Sequence, residues 1–111
     1  MKISEATEKL GYEIVTMPDP DIEVEGGYAG DLLSWVMGRA EVGNIWVTIM
    51  SNINIVAVAS LAGVSAVVVA EGVTVPQDVV DKATEQGINI LKTEDPTFLA
   101  TLKIGNILGI R

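Results

Sequence analysis

The chain has 111 residues, of which 49% are apolar and only 5% aromatic, and it carries a formal charge of −8 at pH 7. A chain of this length has room for one core, so we expect a single domain over residues 1–111. The lack of cysteine and histidine excludes disulfides, thiolate or imidazole metal sites and His-based triads, and it favours a cytoplasmic location. The negative charge disfavours nucleic-acid binding, because phosphates need basic partners.

Apolar periodicity, β-branched runs and glycine stops predict helices and strands along most of the chain. In chain order we expect a helix at 5–10, a strand at 12–16, an edge strand at 22–25, a helix at 32–40, a strand at 44–50, a helix at 55–61, a strand at 66–70, a helix at 76–86, a strand at 88–91 and a helix at 97–104. Residues suited to cap these helices are Ser4, Asp31, Asn52, Asn54 and the pair Thr74 and Gln77. Gly105 is predicted to stop the last helix before an apolar tail at 106–111.

One long segment, residues 43–70, has no charged side chain. A membrane-spanning helix needs about 20 consecutive apolar residues, but this segment contains three asparagines and a central glycine, Gly63. These residues are explained as the ends of a strand, a helix and a second strand, whereas a spanning helix buries them in lipid without partners. We therefore expect no membrane span and predict a βαβ unit with parallel strands.

Three motifs occur in order: Gly-Asp-Leu-Leu-Ser at 30–34, Trp-Val-Thr-Ile at 46–49 and Asn-Ile-Val-Ala-Val-Ala-Ser at 54–60. With them, residues 3–105 resemble the DRTGG domain family, small α/β modules found alone or joined to regulatory domains. The resemblance implies a three-layer-like α/β domain, with a mostly parallel sheet built from βαβ units, related to the N-terminal domain of HPr kinases. It also implies a regulatory or assembly role, and these domains are associated with dimeric regulatory proteins.

The chain departs from the family pattern in two places. The pentapeptide that names the family is absent, and Ser51-Asn52 stand where related sequences often place a histidine. A phosphate-binding G-x-x-x-x-G-K-[ST] loop is also absent. We therefore expect no kinase activity and, more generally, no catalytic residues, no metal site and no cofactor.

The candidate ligand site follows two buried strands, where open parallel sheets tend to bind ligands. Ser51, Asn52 and Asn54 follow the first strand and can hold a carboxylate or phosphate, or simply cap the next helix. Glu71 and Gly72 follow the second strand; the carboxylate suits an amine or a cation, and the alternative is an ordinary polar turn.

Two weaker candidates precede these turns. The glycines around Tyr28 can form a phosphate-binding loop, but a turn that requires positive φ is the alternative. Asp31, with Glu23 or Glu25, can hold a cation, but its position also suits a plain helix N-cap.

The helix predicted at 55–61 is apolar on nearly every face, so it needs cover on all sides. The cover is either the terminal helix or a second copy of the chain, and a closed two-fold dimer is the commonest form of self-association. The residues expected in a homodimer interface are Val56, Ala59, Ile104, Ile107 and Leu108. The sequence favours a self-associating regulatory module that senses a small ligand; the alternatives are a structural adaptor for a partner protein and a small enzyme.

Overall fold

A computed structural model describes residues 1–110, in which one five-stranded sheet lies between two layers of helices. The predicted α/β class with a mostly parallel sheet is confirmed. The elements are α1 (Ile3–Leu10), β1 (Glu13–Thr16), β2 (Gly27–Ala29), α2 (Leu33–Arg39), β3 (Ile45–Thr48), α3 (Asn54–Ala62), β4 (Ala66–Val69), α4 (Gln77–Gln86), β5 (Ile90–Lys92) and α5 (Thr97–Ile107).

The strand order is β1-β5-β4-β3-β2, with β1 antiparallel to β5 and the other neighbours parallel. The charge-free segment forms β3, α3 and β4, as the βαβ prediction requires. Both central strands are fully buried, because helices cover the two faces of the sheet.

Alternate side chains on each strand enter two separate cores. Trp46 and Val67 lie in the core under α2, α3 and α4, whereas Ile45 and Val68 lie in the core under α1 and α5. The Trp46 ring is completely buried, and its Nε1 donates a hydrogen bond to the Gly30 carbonyl at 2.9 Å. This bond avoids the cost of an unpaired buried N–H, about 1–3 kcal/mol.

The edge strand lies farther along the chain than its prediction at 22–25. In that segment, Val24 is buried and its N–H donates to the Met1 carbonyl, so the backbone pairs with the N-terminus and not with a strand of the sheet. The strand is instead Gly27–Ala29, which pairs with β3. A Cβ on Gly27 would lie 3.3 Å from the Ile45 carbonyl oxygen, so the glycine permits close packing at this edge.

Several predicted helix ends are also corrected. Helix α1 begins at Ile3, before the predicted cap Ser4, and α2 begins at Leu33 without a side-chain cap from Asp31. Helix α4 has Pro76 at its N-cap and no capping-box bond. Helix α5 continues through Gly105 to Ile107, because a helix interior tolerates a glycine when the flanking residues pack well. The last residue of the predicted apolar tail, Arg111, lies outside the described residues.

The apolar helix α3 is covered within its own chain, by the sheet and by α2 and α4, and not by the terminal helix. Val56 is 2% exposed and Ala59 is fully buried in this packing. The opposite side of α3 is open, since Leu61 is 76% exposed. The prediction that α3 needs cover on all sides is therefore wrong. A second copy of the chain is not needed to bury Val56 and Ala59.

The other three predicted interface residues lie on the opposite side of the sheet. Ile104 is buried in the core under α1 and α5, while Ile107 and Leu108 are half-buried against it. Self-association stays a prediction, but the burial of Val56, Ala59 and Ile104 argues against contact through these side chains.

None of the helices in residues 1–110 is both long enough and apolar enough to cross a membrane.

Candidate functional site

The two predicted ligand turns lie at the same edge of the sheet. Thr48 and Val69, the last residues of β3 and β4, are paired in parallel register, and the Ala70 N–H donates to the Thr48 carbonyl at 2.9 Å. The turn at 51–53 and the turn at 71–72 therefore leave the sheet side by side. Their binding role stays a prediction, because the geometry is compatible with both a ligand and a purely structural use.

The first turn is organised by an asparagine. The Asn52 Oδ1 accepts a hydrogen bond from the Asn54 N–H at 2.9 Å, which starts α3. Both asparagine side chains are exposed, and Ser51 is half-buried. The capping alternative thus accounts for one side-chain oxygen, and the remaining polar groups at this turn face solvent.

The second turn has a structural use. Glu71 has a φ of 63° and Gly72 a φ of 71°, the left-handed region that disfavours side chains. The Glu71 Oε2 accepts a hydrogen bond from the Thr97 N–H at 2.8 Å, so this carboxylate caps α5. The positive φ of Gly72 favours glycine, and a Cβ at this position would also displace the exposed Glu94 carboxylate. Through the bond between Glu71 and Thr97, this turn connects the sheet edge to α5.

Asp31 also has a role that the sequence did not indicate. Its Oδ1 accepts hydrogen bonds from the Thr48 hydroxyl at 2.7 Å and from the Ile49 N–H at 2.9 Å. The carboxylate therefore closes the end of β3 instead of capping α2. The signal available in the sequence was the threonine that ends an otherwise apolar buried strand, since a buried hydroxyl needs a partner.

A second polar cluster joins the start of β1 to α5. Asp95 Oδ2 accepts hydrogen bonds from the Tyr12 hydroxyl at 2.9 Å and from Lys103 Nζ at 2.8 Å. Burial, and then the bond to the ionised Asp95, raise the pKa of Tyr12 well above its ordinary value of 10.0. The bonds from Lys103 and Tyr12 lower the pKa of Asp95. The cluster holds the charges of Asp95 and Lys103 together, and the raised pKa keeps the Tyr12 hydroxyl protonated.

A groove of about 540 Å³ lies between α3 and α4 and adjoins the first turn. It is lined by Ile53, Asn54, Val56, Ala57, Ser60, Leu61, Lys82 and Gln86. Lys82 supplies its positive charge and also contacts Glu85 at 3.7 Å. Sequence periodicity identified both helices but not the groove, because the distance between helices depends on tertiary packing.

The sheet edge and the groove carry opposite charges. Asp31, Glu71 and Asp95 follow β2, β4 and β5, on both sides of β3. The groove beside Asn54 has the ammonium of Lys82 instead. Among residues 1–110, no group of three or more acidic side chains is arranged to hold a metal ion.

The fold and this edge define an α/β module whose helices cover both faces of a mostly parallel sheet, with a polar strand-end edge. The chain is similar to part of a crystal structure of the CBS and DRTGG domains of the regulatory region of Clostridium perfringens pyrophosphatase, complexed with its activator, diadenosine tetraphosphate. The TM-score is 0.70 at 17% identity, and the match covers 92% of this chain and 45% of that chain. No protein-family model and no curated protein matches the chain. At this identity the likeness establishes the fold, and it agrees with the fold that the DRTGG resemblance implies.

Proposed function

We propose that the chain is a non-catalytic regulatory module that self-associates, acts in the cytoplasm and responds to a small ligand. The observation that supports this proposal is the fold shared with a regulatory region whose structure contains a nucleotide activator. The proposal also agrees with the sequence, which lacks the histidine, cysteine and phosphate-binding loop on which common phosphate chemistry depends.

The ligand site that we propose is the turn Ser51 to Asn54 together with the α3–α4 groove. The amides at the start of α3 favour an anion, the asparagine side chains provide further hydrogen bonds, and Lys82 adds a positive charge. The apolar side chains of the same groove suit a base or another flat apolar group. Glu71 and Gly72 then border the site and fix its edge, because the Glu71 carboxylate is bonded to α5.

Thermal-shift and calorimetric titrations with diadenosine tetraphosphate, ATP and AMP test this assignment. Saturable binding stabilises the folded chain, by about 2.7 kcal/mol at one hundred times the dissociation constant. Lys82→Ala and Asn52→Ala are expected to weaken binding, whereas Lys9→Ala, an exposed lysine on the other side of the sheet, is the matched control. Absence of binding by all three nucleotides, or equal weakening by Lys9→Ala, contradicts the proposed site.

A structural adaptor is the second candidate, because exposed apolar side chains on α5 offer a surface to another protein. Phe98 is 82% exposed and Leu102 is 55% exposed. Absence of nucleotide binding, combined with saturable binding of a defined partner protein, favours the adaptor.

The non-catalytic part of the proposal has its own test. The purified chain is expected neither to hydrolyse ATP nor to transfer its phosphate. Turnover that co-purifies with the chain and disappears in Ser51→Ala or Asn52→Ala contradicts a purely regulatory role.

A further inference from the structure

A hollow of about 380 Å³ lies between α5 and the edge strand β2. On the face toward α5, β2 contributes only the small residues Gly27 and Ala29, because Tyr28 points with Trp46 into the other core. On the helix side, Gly105 also lacks a side chain, and a Cβ placed there meets no atom within 4 Å. The hollow therefore results from small residues on both of its walls.

A large exposed side chain lies beside this hollow on the same helix. Phe98 and Gly105 are seven residues apart, which places them two turns apart on one stripe of α5, about 10.5 Å along its axis. Leu102 and Thr101 lie between them, at the middle of the stripe. A projecting ring at one end and a hollow at the other make the stripe complementary to itself when a second α5 runs antiparallel.

The self-complementary shape of the stripe selects a second copy as the occupant, and the charge distribution permits it. The chain carries 15 carboxylates and a formal charge of −8, so two copies repel each other over most approaches. Helix α5 and the hollow carry none of these carboxylates. The one charged residue of the helix, Lys103, is already bonded to Asp95. Two copies can therefore meet at this face without burying an unpaired charge.

We infer that the chain forms a two-fold dimer through α5, in which Phe98 of each copy fills the hollow beside Gly105 of the other. This inference rests on the self-association in the proposed function and assigns it a surface. The two-fold axis passes next to Thr101 and Leu102, since these residues lie midway between the ring and the hollow. The ligand groove lies on the other side of the sheet and stays open in this dimer.

Light scattering of the wild-type chain and of three variants tests the interface. The wild type is expected to be a dimer at about 100 μM, well above a micromolar dissociation constant. Phe98→Glu and Gly105→Leu, which remove the ring and fill the hollow, are each expected to raise that constant about 30-fold or more, as removal of a central anchor does. Trp35→Ser is the matched control, because Trp35 is 51% exposed on α2, away from α5.

A disulfide provides a second readout, because the native chain has no cysteine. Leu102→Cys, next to the proposed axis, is expected to oxidise to a covalent dimer, whereas Trp35→Cys is expected to stay monomeric under denaturing electrophoresis. Circular dichroism on every variant confirms that the fold is retained, which the exposure of the substituted residues favours.

The outcomes distinguish failure of the α5 interface from failure of the proposed self-association. A dimer that Phe98→Glu and Gly105→Leu leave intact, or that Trp35→Ser disrupts, overturns the α5 interface but keeps self-association. A wild-type chain that is monomeric at about 100 μM overturns both, while nucleotide binding, measured separately, still decides the ligand response.

Discussion

Two carboxylates at the sheet edge have roles that depend on residues far away in the sequence. Asp31 bonds to the end of β3, and Asp95 bonds to Tyr12 and Lys103. The local pattern assigns Asp31 to a helix start, since an Asp before a helical segment is a common cap. The structure instead uses them to tie separate elements together, and stability measurements on each can show this.

The first prediction concerns Asp95 and pH. Because the folded chain lowers the pKa of Asp95, its contribution to stability is present above the unfolded pKa of about 3.9 and is lost as the pH falls through the folded value. Asp95→Asn is therefore expected to lower the free energy of unfolding at pH 7 and to have a smaller effect near pH 3. Urea unfolding at both values measures the difference, and Glu8→Gln on α1 is the control. An effect of Asp95→Asn that is the same at both pH values contradicts this account.

The second prediction concerns Asp31 and Thr48. Asp31→Ala is expected to destabilise the chain by about 1–3 kcal/mol, because the buried Thr48 hydroxyl and the Ile49 N–H lose an acceptor. Thr48→Val removes the hydroxyl, so the double variant Asp31→Ala/Thr48→Val is expected to cost less than the sum of the two single changes. Denaturant unfolding of the four proteins gives the coupling energy. A coupling energy near zero indicates that Asp31 acts locally on α2, as its predicted cap role requires.

At the scale of the elements, most differences from the prediction occur at ends and at the edge of the sheet. Helix α5 passes through Gly105 and ends three residues later than predicted, and β2 replaces the strand expected at 22–25. Glycine has no side chain, so a glycine in the sequence is compatible with a helix, a strand or a turn. The packing of the neighbouring helices and strands determines which of these structures forms.

The third prediction compares two glycines of this region. Gly105→Ala is expected to stabilise the monomer by about 1 kcal/mol, because Gly105 lies inside a helix and a Cβ there meets open space. Gly109→Ala is expected to destabilise it by about 1 kcal/mol, since Gly109 has a φ of 73°. Thermal unfolding far below the expected micromolar dissociation constant, where association is negligible, measures both changes. Stabilisation by Gly109→Ala together with destabilisation by Gly105→Ala places the helix end at Gly105, as the sequence pattern alone suggested.

At the scale of the whole molecule, the two cores account for most of the apolar residues, and twelve large apolar side chains within residues 1–110 are exposed. Val56 belongs to the first group and Phe98 to the second. An acidic substitution at Val56 therefore tests folding, whereas one at Phe98 tests association.

The fourth prediction is that Val56→Asp unfolds the chain instead of producing a folded monomer. A carboxylate at this buried position has no partner within the core, and such a change costs several kcal/mol, a large fraction of the total stability of a small domain. Circular dichroism read beside light scattering distinguishes the two results. A folded, monomeric Val56→Asp protein means that Val56 faces a second copy, and it restores the interface predicted from the sequence.

The sequence by itself determined the alternation of helices and strands, the parallel βαβ unit and the location of the polar turns at 51–54 and 71–72. These features follow from the spacing of apolar residues and from turn chemistry, which act over a few neighbouring residues. The sequence also excluded the histidine- and cysteine-dependent chemistries, because these residues are absent. The polar character of the sheet edge was therefore accessible before the fold was known.

Only the tertiary structure decided which side chains of the apolar helix α3 are covered, which residues bond to Asp31 and Asp95, and where the hollow beside α5 lies. Residues separated by 8 to 83 positions make these bonds, and the spacing of residues along a chain does not specify such pairs. Val56 and Phe98 have similar apolar character in the sequence, yet one is in the core and the other projects into solvent. Their difference arises from the packing of whole helices against the sheet, which buries one face of each helix and leaves the other to solvent or to a partner.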